Sequence, residues 1–179
     1  LAGGRAAVFH EGTLAFSWTI PDPDPRRDIH ARFSALASLM LAAFSDLDIE
    51  AEIGEIPGEY CPGEYSISVG GTTKVMGVGQ RLARNAAHIG GVVVVSGGAL
   101  TRSVLEPVYR ELDLSWRPPT AGALQDVAPA ITLQLVTDAI VARLATARLV
   151  TPATLEPETL ELARRLAPEH IAPRPPRCG

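Results

Sequence analysis

Two side chains in this sequence carry types and spacing that could do covalent chemistry. Cys61 lies in Gly58-Glu59-Tyr60-Cys61-Pro62-Gly63, a loop setting rather than the middle of a buried helix face. Lys74 is the lone lysine among 16 basic residues, the rest being arginine. An arginine excess follows from codon bias, but an ammonium that can lose its proton is something a guanidinium cannot imitate. By residue type alone, a free cysteine more often packs as a small apolar group than it reacts. It becomes a nucleophile when a neighbouring cation favours the thiolate. If 65–69 and 73–78 pair as a hairpin, Lys74 runs back towards the loop that holds Cys61. Such a dyad could form an acyl-enzyme without any histidine.

Gly3-Gly4-Arg5 opens the chain and could bring main-chain N–H groups close to a carboxylate or thioester, although for a Gly-Gly pair alone a simple turn is the better reading. His10, His30, His88 and His170 are scattered without metal-ligand spacing. Cys178 belongs to the tail, and a Cys61–Cys178 disulfide is not expected. Gly-x-x-x-x-Gly-Lys-Ser/Thr, Gly-x-Ser-x-Gly and His-Glu-x-x-His are all missing, against P-loop hydrolysis, an ordinary serine esterase and a zinc protease.

The elements that must position these residues are legible in the hydropathy pattern. Leu14, Phe16, Trp18 and Ile20 alternate with Ala15, Ser17 and Thr19, which predicts a strand that Pro21-Asp22-Pro23-Asp24-Pro25 stops. Ile29, Phe33, Leu36, Met40 and Phe44 recur at helical spacing after Asp28, a candidate N-cap, so 29–45 is expected to be a helix. Strands are expected at 65–69 and from 73, joined at Gly70-Gly71, with a further short strand at Val92–Val95. Asn85 marks a turn between the last two, and 80–88 reads as helix or strand. Ser103 and Glu106 have capping-box spacing ahead of Val108 and Leu112. Helices are expected over 130–148 and 157–167, followed by an extended Pro-rich tail. The fold class is therefore α+β, a mixed or mostly antiparallel sheet with flanking helices. A domain over 1–150 and a C-terminal helix with its tail over 151–179 are expected.

Composition sets the outer bounds. The 179 residues are 46% hydrophobic and 20% charged, which suits one packed domain and not a disordered chain. Aromatics are 5%, so Ala, Val, Leu and Ile must fill the core. A net charge of −4 without a basic block excludes a nucleic-acid footprint. No apolar run approaches the ~18 residues of a membrane span. Two cysteines point to a reducing, cytoplasmic setting.

Two segments resemble a known family. Gly3-Gly4-Arg5-Ala6-Ala7-Val8-Phe9-His10-Glu11-Gly12 is similar to the glycine-rich acyl-pocket motif of the biotin/lipoate protein ligase and octanoyltransferase family. Cys61-Pro62-Gly63 followed by Lys74-Val75-Met76-Gly77-Val78-Gly79-Gln80 looks like the segment where that family places its lysine. The resemblance covers about 1–95, with weaker likeness to about 148. The family's Arg before Gly-Gly and the strands ahead of it have no counterpart here, so a ligase-like catalytic domain lacking its N-terminal part is expected. A cysteine shortly before the lysine marks the octanoyltransferase or lipoyl amidotransferase branch. The resemblance implies Cys61 as the acyl-thioester nucleophile and Lys74 as the residue that lowers its pKa and contacts the acyl carbonyl. It implies Gly3, Gly4, Arg5, His10 and Gly77 around the acyl group. The implied reaction moves an octanoyl or lipoyl group from acyl carrier protein or a lipoyl-domain protein to a lysine of another lipoyl domain, with no cofactor or metal. The alternatives are an ATP- and Mg-dependent lipoate ligase, in which Cys61 is incidental, and a non-catalytic module that binds lipoyl domains.

Overall fold

The computed structural model describes residues 4–170, and the side chains of 4–169. The chain divides into two units, Leu1–Arg148 and Leu149–Gly179. The first is built on a five-stranded antiparallel sheet in the order β1-β5-β4-β3-β2, where β1 is Thr13–Pro21, β2 Ala51–Ile53, β3 Ile67–Val69, β4 Thr73–Ala83 and β5 Ala86–Val94. This is the expected α+β class. The period-two strand appears as β1, and the ambiguous 80–88 stretch resolves into the hairpin of β4 and β5, which turns at Arg84-Asn85.

Register explains why one face of the sheet is packed and the other is hollow. Leu14, Phe16 and Trp18 of β1 share a face with Ile89 and Val93 of β5 and with Met76 and Val78 of β4. Helix α1 (Ile29–Ser45) lays Leu36, Met40 and Phe44 on that face, and helix α3 (Leu133–Ala147) adds Val136 and Ile140. Thr132 caps α3 by accepting the Leu135 N–H at 3.2 Å. On the opposite face, Gly77 pairs with Val92, Gly79 with Gly90 and Arg81 with His88. Three of those six positions have no side chain, so the sheet carries a bare strip.

Several local expectations are corrected. Helix α2 (Gly98–Glu111) begins well before Ser103, after Gly97 turns the chain at φ +75°. Ser103 consequently lies inside the helix and donates its hydroxyl to the Leu100 carbonyl. The face of α2 that packs is Thr101, Leu105 and Tyr109, whereas Val108 and Leu112 are exposed. Asp28 precedes α1 as expected, but its carboxylate takes the Arg27 guanidinium instead of a helix N–H. Strand β2, three residues long, has no counterpart in the sequence reading. In the second unit, α4 (Pro157–Leu166) fulfils the expected helix and buries none of its residues. The Pro-rich tail and Cys178 lie outside the described residues. Among the described residues no helix is long and apolar enough to cross a membrane.

Candidate active site

The loop between β2 and β3 carries Cys61, and its shape is set from below by a buried carboxylate. Glu59 accepts the Ile56 N–H at 3.1 Å, the Gly63 N–H at 3.2 Å and the Ser66 hydroxyl at 2.6 Å, closing the segment on itself. Its fourth partner is Lys74, 2.9 Å away near the start of β4. The Lys74 ammonium also donates to the Tyr60 carbonyl at 3.0 Å and the Cys61 carbonyl at 2.7 Å, and it sits 4.9 Å from the centre of the Tyr60 ring. Both charged side chains are out of water, at 0% exposure for Glu59 and 1% for Lys74. Burial alone would disfavour each charge, so the pair and its polar partners must be kept together.

From above, the same loop is gripped by α2. The Tyr109 hydroxyl accepts the Cys61 N–H at 2.7 Å and donates to the Ala6 carbonyl at 3.1 Å. This one phenol ties the Cys61 loop to the glycine-rich opening segment. Burial raises the Tyr109 pKa, an effect opposed by the Cys61 N–H, which stabilises the phenolate form. Burial raises Tyr60 further, with the neighbouring Cys61 and Glu59 adding to it. Tyr60, Leu105, Tyr109 and Ala121 form a small cluster beneath, and Trp116 meets the Tyr60 ring edge-on.

Held on both sides, Cys61 adopts φ +42°, a left-handed backbone that side chains other than glycine enter at a cost. Its sulfur is half-buried and, among the described residues, accepts one hydrogen bond, from the Arg5 N–H at 3.1 Å. Gly4 makes this approach possible. Its φ is +129°, and a β-carbon there would lie 3.1 Å from the sulfur. The sulfur opens onto a cavity of about 850 Å³ that continues along the bare strip of Gly77, Gly79 and Gly90 to Arg81 and His88. From Gly77 to Arg81 that floor runs about 13 Å at the usual strand rise.

The structure therefore gathers Cys61, Lys74, Gly4, Arg5 and Gly77 around one cavity. Gly3 lies outside the described residues. His10 is elsewhere, contrary to the expectation that it lines the acyl group. Its Nδ1 accepts the Gly12 N–H at 3.0 Å, its Nε2 meets the Thr101 hydroxyl at 3.2 Å, and the ring fills the space that Gly97 leaves beside it. It locks a turn. The expected direct approach of Lys74 to the thiol is replaced by an approach to the main chain on either side of it, and no Lys74–sulfur hydrogen bond occurs among the described residues. Glu59 and Tyr109 were not foreseen.

Residues 1–144 match the model of the lipoyl protein ligase A/B catalytic domain, and the chain belongs to that family. An octanoyl-[GcvH]:protein N-octanoyltransferase of Geobacillus kaustophilus is 32% identical over 134 residues, covering 75% of this chain and 47% of that one. A lipoyl-[GcvH]:protein N-lipoyltransferase of Listeria monocytogenes is 31% identical over 104 residues, covering 58% and 37%. The chain thus spans about half the length, or less, of these curated relatives. Among solved structures, a lipoate protein ligase of Thermoplasma acidophilum with bound lipoic acid superposes with a TM-score of 0.74 at 18% identity, over 94% of this chain and 66% of that one, a likeness of fold.

Proposed function

We propose that this protein is an acyltransferase of protein lipoylation that carries an octanoyl or lipoyl group as a thioester on Cys61. The observation that carries the reading is the Cys61 sulfur, free and half-buried at the mouth of a cavity floored by glycines. A long acyl tail needs such a side-chain-free strip, and its carbonyl carbon would then meet the sulfur. The names of the relatives in Geobacillus and Listeria, which act on GcvH, support a lipoyl-domain protein as the partner.

In the first step the Cys61 thiolate attacks the acyl carbonyl of the donor, which is acyl carrier protein or an acylated lipoyl domain. A carbon–sulfur bond forms on the enzyme, the donor's carbon–sulfur or carbon–nitrogen bond breaks, and the leaving thiolate or amine takes up a proton. In the second step the neutral ε-amine of an acceptor lysine attacks the thioester. A carbon–nitrogen bond forms, the Cys61 thiolate departs and the amine gives up a proton. Neither step consumes a nucleotide or needs a metal ion. Lys74 fixes the main chain around the nucleophile, and for its ammonium to reach the acyl carbonyl it must exchange one of its three present acceptors. A free catalytic thiol suits a reducing compartment, so the reaction belongs in the cytoplasm.

Incubation with octanoyl-acyl carrier protein or octanoylated GcvH should add one octanoyl group, labile to hydroxylamine, on the Cys61 peptide. Transfer should proceed with EDTA present and ATP left out, and Cys61→Ser should abolish it. Full activity in Cys61→Ser would refute the thioester. Turnover that demands ATP, Mg²⁺ and free lipoate would instead make the protein a ligase. Tight lipoyl-domain binding without turnover on any donor would make it a binding module.

A further inference from the structure

Among the described residues, the hydrogen-bond donors around the sulfur leave one candidate for holding its negative charge. The Lys74 ammonium has three protons, and all three are engaged by Glu59, the Tyr60 carbonyl and the Cys61 carbonyl. The Cys61 N–H, a donor often used beside a nucleophile, is held by the Tyr109 hydroxyl. The single proton of that hydroxyl is directed to the Ala6 carbonyl. Pro62, next in the chain, has no N–H, and the Gly63 N–H goes to Glu59. Among the described residues, the Arg5 N–H is the group that reaches the sulfur.

We propose that the Arg5 main-chain N–H, aimed by the left-handed turn at Gly4, is the catalytic donor that stabilises the Cys61 thiolate, both when it attacks the donor and when it departs from the thioester. The proposal rests on the thioester reading and adds to it which atom supports the charge. The Arg5 guanidinium, whose charge acts to lower the Tyr109 pKa, is a separate influence. Tyr109 is a positioning residue: its two hydrogen bonds keep the opening segment and the Cys61 loop in register, so that the N–H and the sulfur meet. The geometry also explains glycine at position 4, because a β-carbon there would stand 3.1 Å from the sulfur and strain a backbone at φ +129°.

The test compares Arg5→Pro, which removes the N–H, with Arg5→Ala, which removes only the side chain. The readout is the rate at which iodoacetamide alkylates Cys61 at neutral pH, followed on the Cys61 peptide so that Cys178 does not interfere. Loss of this charge-assisted hydrogen bond, offset in part by the greater nucleophilicity of a less stabilised thiolate, should lower the net alkylation rate about threefold. Arg5→Ala measures the influence of the guanidinium charge alone, and Arg5→Pro should react about threefold more slowly than Arg5→Ala. Gly4→Ala, which retains the N–H but pushes it away, provides an independent measurement if Arg5→Pro perturbs folding by circular dichroism, and it should slow alkylation in the same way. Equal rates for Arg5→Pro and Arg5→Ala overturn the proposal, as does an unaffected Gly4→Ala. Alkylation needs no acyl donor, so failure of the thioester reading, seen as full transfer by Cys61→Ser, remains a separate result.

Discussion

Glu59→Gln should unravel the support of the Cys61 loop, and the expected size follows from the partners of the carboxylate. The substitution keeps the shape of the side chain but removes the charge facing Lys74 at 2.9 Å, where neither group has water to turn to. It also presents an N–H where the second carboxylate oxygen accepts the Ile56 N–H at 3.1 Å. Removing one partner of a buried pair costs roughly 3–5 kcal/mol, because the other charge stays in a medium that solvates it poorly. In a domain of this size that lowers Tm by roughly 6–20 °C. Lys74→Met strands the carboxylate and should cost a similar amount. Glu59→Gln combined with Lys74→Met removes both charges, so it should lose at least about 2 kcal/mol less than the sum of the single variants. Urea denaturation followed by far-UV circular dichroism measures all four proteins. A loss below about 1 kcal/mol for Glu59→Gln, or strict additivity in the double variant, would refute a loop held by this pair.

Three other outcomes are expected. Gly90→Val puts branched carbon on the cavity floor, where even a β-carbon lies 3.3 Å from the Phe16 carbonyl and 3.5 Å from His88. Octanoyl transfer should fall by roughly tenfold while a short acyl group retains its rate, and equal losses for both would exclude this strip as the tail site. Burial raises the Tyr60 and Tyr109 phenols above their ordinary value of 10.0, so the folded chain keeps protons there that the unfolded chain loses. The stability tied to these protons is complete below pH 10 and declines above it, and Tyr60→Phe should flatten the decline in urea midpoints. Arg32 joins Asp22 at 2.8 Å and Gln80 at 2.6 Å and also donates to the Pro25 carbonyl, so Arg32→Met should cost roughly 2–4 kcal/mol and expose the 21–28 segment to limited proteolysis.

What the sequence disclosed, and what it withheld, follows from the range of the interactions. Strand β1 and helices α1 and α3 carry their own periodicity, so local pattern suffices to place them. Strand β2 is three residues long and exists because β3 offers it a ladder, which no periodicity can announce. Helix α2 begins early because Gly97 turns left-handed, and that backbone state leaves little trace beside an ordinary Gly-Gly pair. Cys61 and Lys74 were visible through residue type, motif and spacing. The roles of Glu59 and Tyr109 were not, since a glutamate in a loop and a tyrosine in a helix gain meaning only from partners 15 and 48 residues away. His10 shows the reverse case: the motif suggested a ligand-facing side chain, whereas Gly12 and Thr101 occupy both of its ring nitrogens.

The glycine floor follows from the register of β4 and β5, and it also bears on how such a protein diverges. The trough is made by omitting side chains from paired strands, so the amides beneath it remain bonded to one another and offer a hydrocarbon tail nothing to grip. On the proposed reading, substitution there changes the length and width of the trough in increments of a methyl group. Glycine codons differ from those of alanine and valine by a single base, so in the proposed tail site a changed chain-length preference lies one mutation away.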